Sequence, residues 1–361
     1  MKKIGILTGG GDAPGLNAVI RAVVITAQHD FGCEVLGIRS GFDGFLQSGG
    51  LIPLTAATVE DILPKGGTIL GAANRGNPFA RRVVRNGKEQ IEDVSDQVIA
   101  KIRDLSLDAL IVVGGDGTLG IARDLFDKGV PTVGVPKTID NDVGGTEATF
   151  GFDTALNVAV EAIDRLRTTA ESHQRVMLLE LMGRDAGFIA LHAGLSGGAD
   201  VILIPEIPFS SQVIADKVKE RLKEGQLDSI IVVSEGATPI GGKQVYSRRG
   251  DELHVPRLGG ISLDIGPYLE SECQTETRVT ILGHIQRGGI PTAFDRWLAT
   301  EFGAAAVRLA AKAGFGRLVA YQCGRIVELE FAEALNKPKR VDVNGDAVRT
   351  ARGLGICLGD R

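Results

Sequence analysis

Ala109-Leu110-Ile111-Val112-Val113 runs into Gly114-Gly115-Asp116-Gly117-Thr118, and Pro131-Thr132-Val133-Gly134-Val135 runs into Pro136-Lys137-Thr138-Ile139-Asp140-Asn141-Asp142. Both stretches have the same pattern: a short apolar segment, then a cluster of small, acidic and hydroxyl side chains. A continuous apolar run of this length, rich in β-branched residues, predicts a strand buried on both faces. Polar clusters at the ends of successive buried strands lie where an open parallel sheet collects ligands. The second cluster holds two carboxylates, an amide, a hydroxyl and an ammonium. With Asp116 it points to metal-assisted phosphoryl transfer, because Mg²⁺ favours one or two carboxylates plus phosphate oxygens.

The same alternation extends in both directions. Ile4–Leu7 and Val35–Ile38 read as further buried strands, and Leu16–Ala27 and Gly120–Asp127 carry apolar residues at helical spacing. A long helix pattern runs from about Thr154 to Thr169, with a stripe of Ala155, Leu156, Val158, Ala159, Ala162, Ile163 and Leu166 that reads as core. The alternation then restarts. Arg175–Leu181, Val201–Ile204, Ser229–Val233 and Arg278–Leu282 read as strands, with a helix over Ser211–Glu224. The chain is therefore α/β with mainly parallel sheets, in two halves that divide near residue 150. The helix Pro291–Ala311 is expected to rejoin the first half. Residues 237–262 read as a loop or small hairpin, and the polar tail after about Lys337 as partly mobile.

Bulk properties narrow the class. A length of 361 residues suits two moderate domains, and 49 glycines with only 5% aromatics imply tight turns around an aliphatic core. A net charge of -5 without a basic run argues against nucleic acid as a partner. Cys33, Cys273, Cys323 and Cys357 form no C-x-x-C pair, which fits single thiols in a reducing compartment. Met1-Lys2-Lys3 leads directly into the first strand, so neither a signal peptide nor a spanning segment is expected. A cytoplasmic enzyme that does not use the membrane is expected.

Each cluster admits a chemical and a bland reading. Thr8-Gly9-Gly10-Gly11-Asp12 precedes the first helix and is either a phosphate cradle or an empty tight turn; it is neither Walker A nor G-x-G-x-x-G. Asp116 is either an N-cap or a Mg²⁺ ligand, and its flanking glycines, which clear room for phosphates, favour the ligand. Asp140 is the candidate base. Thr138 is placed to hydrogen-bond the substrate, and Asp142 to orient the loop or a metal-bound water; the alternative is an Asx-rich turn. Met182-Gly183-Arg184 follows a strand, so Arg184 is either a phosphoryl clamp or a surface arginine. His173 and Arg175 precede that strand and Arg278 opens a later one. His284 and Arg287, among the glycines of Gly283–Gly289, look like a sugar-phosphate pocket, and Glu235 could accept from sugar hydroxyls.

In this order, Ile6–Asn17, Gly66–Gly71, Gly114–Thr118, Pro136–Asp142, Glu161–Arg167, Ser172–Arg175, Met182–Arg184 and Gly283–Gly289 resemble the 6-phosphofructokinase family over roughly residues 1–330. The resemblance implies two Rossmann-like three-layer αβα domains with the active site in the cleft between them. Residues 1–150 plus about 286–325 would form the larger, donor-binding domain, and residues 151–285 plus the C-terminal segment the smaller, fructose 6-phosphate-binding domain. The implied reaction moves the γ-phosphoryl group of ATP, with Mg²⁺, to the 1-hydroxyl of fructose 6-phosphate in glycolysis. A homotetramer with sugar-phosphate sites at a subunit contact is also implied.

By the same resemblance Asp140 is the base and Asp116 the Mg²⁺ ligand. Gly11, Gly115, Gly117, Thr118 and Arg75 match donor contacts. Thr138, Ile139, Asp140, Met182, Gly183, Arg184, Glu235, His284 and Arg287 match sugar-phosphate contacts, with Thr138 and Arg184 also catalytic. Arg175 and Arg278 match arginines lent by a neighbouring subunit. Two positions bear on the donor. Pyrophosphate users resemble G-G-D-D, where this chain has Gly117, so ATP fits; Lys137, in contrast, resembles the pyrophosphate users. A pyrophosphate-dependent phosphotransferase is therefore the first rival. NAD or lipid kinases share G-G-D-G-T but lack the Pro136–Asp142 and His284–Arg287 clusters. A non-catalytic regulatory subunit would be expected to lack Asp116 or Asp140. Arg21, Arg167 and Asp200 match effector positions. Ile25, Glu224 and Gln226 replace the usual cations there, which implies weak control by ADP or phosphoenolpyruvate.

Overall fold

The apolar runs form strands, and the polar clusters follow their C-terminal ends. The computed structural model describes residues 1–73, 76–85, 88–248 and 257–361. Two units result: Met1–Thr154 with Arg287–Lys339, and Ala155–Gln286 with Arg340–Arg361.

The first unit is built on a sheet of β1 (Lys3–Thr8), β2 (Glu34–Ile38), β3 (Leu51–Leu54), β6 (Ala109–Gly114), β7 (Thr132–Pro136), β14 (Arg317–Gln322) and β15 (Arg325–Glu330). The order is β15-β14-β7-β6-β1-β2-β3. The inner strands pair in parallel, and the edge strands β3 and β15 pair antiparallel with their neighbours. A separate hairpin joins β4 (Arg81–Arg85) to β5 (Lys88–Glu92). The register sets the site: Thr8 pairs with Val113, and Gly114 with Pro136, so the turns after β1, β6 and β7 emerge side by side.

Alternate residues of each strand enter opposite cores. Ile111 and Val113 pack with Leu16, Val19 and Val23 of α1 (Leu16–Phe31) and with Leu298, Phe302 and Val307 of α8 (Ala293–Ala311). Leu110 and Val112 pack with Val98 and Ile102 of α2 (Ser95–Asp104) and with Leu119 and Leu125 of α3 (Asp116–Asp127). The first unit is thus a three-layer αβα sandwich. The helices α1 and α8 approach closely because Gly303 has no side chain; a Cβ there would come within 2.8 Å of the Val19 carbonyl.

The chain enters the second unit within α4 (Phe152–His173). Its sheet is wholly parallel, in the order β13-β8-β10-β9, from β8 (Val176–Leu181), β9 (Val201–Leu203), β10 (Ser229–Ser234) and β13 (Thr277–Ile281). Val176, Leu178, Ile231 and Val233 pack on α6 (Ser211–Lys223) and α7 (Ile261–Cys273). The helix α5 (Phe188–Ser196) packs against β9 and β10. Glu180, inside the apolar run of β8, is buried and caps α7: its carboxylate accepts from Gly260 N at 2.7 Å, Ser262 N at 3.0 Å and the Ser262 hydroxyl.

Two sequence expectations change. The helix expected from Gly120 begins at Asp116, because Gly117 and Gly120 lie within it with open space at their Cβ positions. The tail is anchored rather than mobile. Ile202 N donates to Cys357 O at 2.9 Å, and the C-terminal helix Asp346–Gly353 buries Val348 and Ala351. The stretch 237–262 contains the small hairpin β11 (Tyr246–Arg248) and β12 (Arg257–Leu258).

Candidate active site

In the first unit, three turns are bonded to one another at the strand ends. Gly9 N donates to Val113 O at 2.9 Å, and Lys137 N to Gly114 O at 2.9 Å. Gly10 N donates to Ala73 O at 3.2 Å, which brings the loop after Gly66–Gly71 onto the β1 turn. Asn17 of α1 holds the same loop, donating to Lys65 O and Gly66 O and accepting from Ile69 N. Arg75 lies outside the described residues. The first bond within α3 runs from Leu119 N to Gly115 O at 3.0 Å, so the amides of Asp116, Gly117 and Thr118 precede the helical ladder. Free amides at a helix start favour an anion. Gly115, not Asp116, is the N-cap residue, and Asp116 lies in the first turn with its side chain exposed. Thr118 is instead buried, against Gly9 and Gly114.

The Pro136–Asp142 run is fixed from within. Asp140 N donates to Thr138 Oγ1 at 3.1 Å. Thr149 Oγ1 donates to Thr138 O at 2.8 Å, and Thr149 N to Asn141 Oδ1 at 3.1 Å. Ile139 is a buried core residue, and its side chain packs the loop from within. Lys137 is also buried, and its ammonium donates to the Gly11 carbonyl. Arg287 comes to the same turn, with Nη1 donating to Asp12 O at 3.0 Å and close enough to Gly11 that a Cβ there would lie 2.9 Å away.

Burial, modified by neighbouring charge, shifts the ionisation of these groups. Burial, with the Arg287 charge adding, pulls the Lys137 ammonium down to about 8, against the pull of Asp12, Asp140 and Asp142. Burial pushes the Asp142 carboxyl up, and the Asp116 charge adds to that push. Partial desolvation likewise pushes Asp116 up. Two carboxyls raised by desolvation, Asp142 also by the Asp116 charge, offer oxygen donors that a hard divalent cation would relieve. Among the described residues no group of three or more His, Cys, Asp or Glu could hold a metal unaided. Two carboxylates would suit a cation such as Mg²⁺, whose other ligands would come from phosphate oxygens and water.

In the second unit, the turns after β8, β10 and β13 are joined in the same way. Met182 N donates to Gln286 Oε1 at 2.8 Å, and Glu235 N to Leu181 O at 2.8 Å. Ser234 Oγ donates to Gly183 O at 2.5 Å, at a residue whose φ of 139° suits glycine alone. A Cβ on Gly236 would overlap the Arg184 carbonyl, so Gly236 sets where Arg184 stands. The Arg184 side chain is half-exposed, with Asp185 at 3.8 Å. His284 is exposed in the short 3₁₀ turn Gly283–Arg287, next to the buried Gln286. Arg175 and Arg278 both pair with Glu276, at the edge strand β13, and their bonds hold the Glu276 carboxyl below its usual range. Gln286 was missed in the sequence, where an amide between His284 and Arg287 gives no sign of its bond to Met182.

Residues 3–310 match the family described as Phosphofructokinase. The chain belongs to the phosphofructokinase family. It is 52% identical over 361 residues to the ATP-dependent 6-phosphofructokinase of Chloroflexus aurantiacus, covering 99% of this chain and 98% of that protein. It is also 50% identical over 342 residues to the pyrophosphate--fructose 6-phosphate 1-phosphotransferase of Amycolatopsis methanolica, covering 94% and 96% respectively. The structure of phosphofructokinase from Saccharomyces cerevisiae superposes with a TM-score of 0.77 at 31% identity; the match covers 99% of this chain but 47% of the yeast chain. The two-unit α/β architecture is thus that of phosphofructokinases, and the names of the relatives fall on both sides of the donor divide.

Proposed function

We propose that this phosphofructokinase is an ATP-dependent 6-phosphofructokinase. It would transfer the γ-phosphoryl group of ATP to the 1-hydroxyl of fructose 6-phosphate, giving fructose 1,6-bisphosphate and ADP in the cytoplasm. The observation that carries ATP is Gly117. It lies in the first turn of α3, and a Cβ there would meet nothing within 4 Å. No carboxylate stands there to repel a nucleotide's α-phosphate. Relatives at about half identity over nearly the whole chain are named for ATP.

Gly11, Gly115, Gly117 and Thr118, with Arg75, would contact the donor. Asp116 would hold Mg²⁺, which supplies charge neutralisation at the phosphoryl group when bound. Asp140 takes the proton of the attacking hydroxyl, and Thr138 fixes the loop that aims it through the bond to Asp140 N. Arg184 stabilises charge on the phosphoryl oxygens. Met182, Gly183, Glu235, His284 and Arg287 hold the sugar phosphate. Arg175 and Arg278, gathered by Glu276, serve a neighbouring subunit of a homotetramer. Arg221 already pairs with Asp200 at 2.7 Å, which adds to the reasons for weak effector control.

Pyrophosphate as donor is the second reading, favoured by Lys137 and by the name of the Amycolatopsis relative. The Lys137 ammonium donates to the Gly11 carbonyl and so acts first as a brace for the β1 turn. The test is turnover of fructose 6-phosphate with each donor in the presence of Mg²⁺. Turnover with ATP supports the proposal, and efficient turnover with pyrophosphate but none with ATP refutes it.

A further inference from the structure

The loop that carries Asp140 has a brace from far along the chain. Lys339 is the last residue of the first unit. Its ammonium donates to Asn141 Oδ1 at 3.0 Å, Thr146 O at 2.9 Å and Glu147 O at 2.9 Å, and its backbone N donates to Asp142 O at 2.8 Å. These groups flank Asp140 on its C-terminal side. Asn141 is left-handed, with φ at 54°, a conformation that costs a non-glycine residue free energy unless its surroundings fix it. Its side chain is fixed, accepting from Lys339 and from Thr149 N and donating to Glu147 O. The peptide between Asp140 and Asn141 can turn only with this network, and that peptide sets where the Asp140 carboxylate points.

We infer that Lys339 is a positioning residue for phosphoryl transfer, acting through Asn141 to hold Asp140 in its reactive direction. The bonds of its ammonium to Asn141, Thr146 and Glu147 all go to the loop itself, so they act on orientation. The bland alternative is a tail anchor whose loss costs stability alone. Yet the ammonium spends these bonds on the one loop that carries the base, and a neutral side chain could anchor a tail without desolvating a charge. Burial draws this ammonium down to about 8, against the pull of Asp142 and Glu147. That cost is retained at a place where loop geometry matters most.

This inference rests on Asp140 being the base, which Asp140→Asn tests separately. Lys339→Met should lower kcat at least tenfold, with KM for fructose 6-phosphate and for ATP within about threefold of wild type. The deciding measurement is non-additivity. In an Asp140→Asn background, Lys339→Met should cost less than about twofold more, because a misaimed carboxylate cannot matter once it is gone. A full tenfold loss in that background, or a raised KM with unchanged kcat, overturns the inference. Should Lys339→Met fail to fold, Thr149→Val removes the hydroxyl bonds to Thr138 O and Asn141 Oδ1 in nearly the same volume. It should show the same loss of kcat and the same silence in the Asp140→Asn background, and additivity there is equally fatal.

Discussion

Gly117→Asp tests the donor assignment at the one position where structure and charge can be separated. A Cβ at 117 meets nothing within 4 Å, so the new side chain requires no repacking. Aspartate in the first turn of α3 also suits the helix better than glycine, through propensity and through the positive end of the helix dipole. The folded protein should therefore lose no stability, and its thermal midpoint should hold or rise. Catalysis should respond differently. A carboxylate within about 5 Å of a donor phosphate repels it by about 3 kcal/mol at an effective dielectric near 20. The site is open to solvent, so screening at physiological salt leaves about 2 kcal/mol, or about 30-fold in kcat/KM for ATP. KM for fructose 6-phosphate should stay within about twofold. Initial rates at varied ATP, at low and high ionic strength, check this: the loss should shrink as salt rises. An unchanged kcat/KM for ATP at low salt would refute the reasoning, because it would mean that no donor phosphate passes near α3.

Two further outcomes follow from the geometry. Arg278→Ala should raise KM for fructose 6-phosphate at least tenfold while leaving kcat within about threefold, as expected when uniform binding is lost; a kcat collapse at unchanged KM would remove Arg278 from the binding role. Asp295 is fully buried, accepts from Thr154 N at 2.8 Å and from the Thr154 hydroxyl, and is pushed by burial from 3.8 up to about 6. A carboxyl raised in the fold holds its proton better there, so its contribution is present below pH 4 and is lost as pH rises from 4 through 6, by about 3 kcal/mol in all. Asp295→Asn keeps the accepting oxygen and removes the titration. Its thermal midpoint relative to wild type should therefore move in its favour by several degrees between pH 4 and pH 7; a pH-independent difference contradicts the assignment.

Much of this was legible because parallel strands buried on both faces leave continuous apolar runs, and because their C-terminal ends must be followed by polar turns. The sequence thus marked β1, β6, β7, β8 and β10, and with them Gly11, Asp116, Asp140, Arg184 and Glu235. The start of α3 was misplaced because glycine reads as a turn, whereas Gly117 and Gly120 are helical residues kept small facing open space. The β14–β15 pair escaped notice because its place in the sheet depends on Arg317 pairing with Val133, a contact no local pattern encodes. Lys339 escaped for the same reason: 198 residues separate it from Asn141, and its own neighbourhood reads as a polar tail.

The central claim is that the carboxylate of Asp140 takes the proton from the sugar hydroxyl. General-base help of this kind is worth about 10²–10⁴-fold. The direct measurement is kcat of Asp140→Asn at saturating fructose 6-phosphate and Mg·ATP. A fall of at least about 100-fold, with KM for both substrates little changed, is the predicted result. A kcat within a few-fold of wild type would contradict the account.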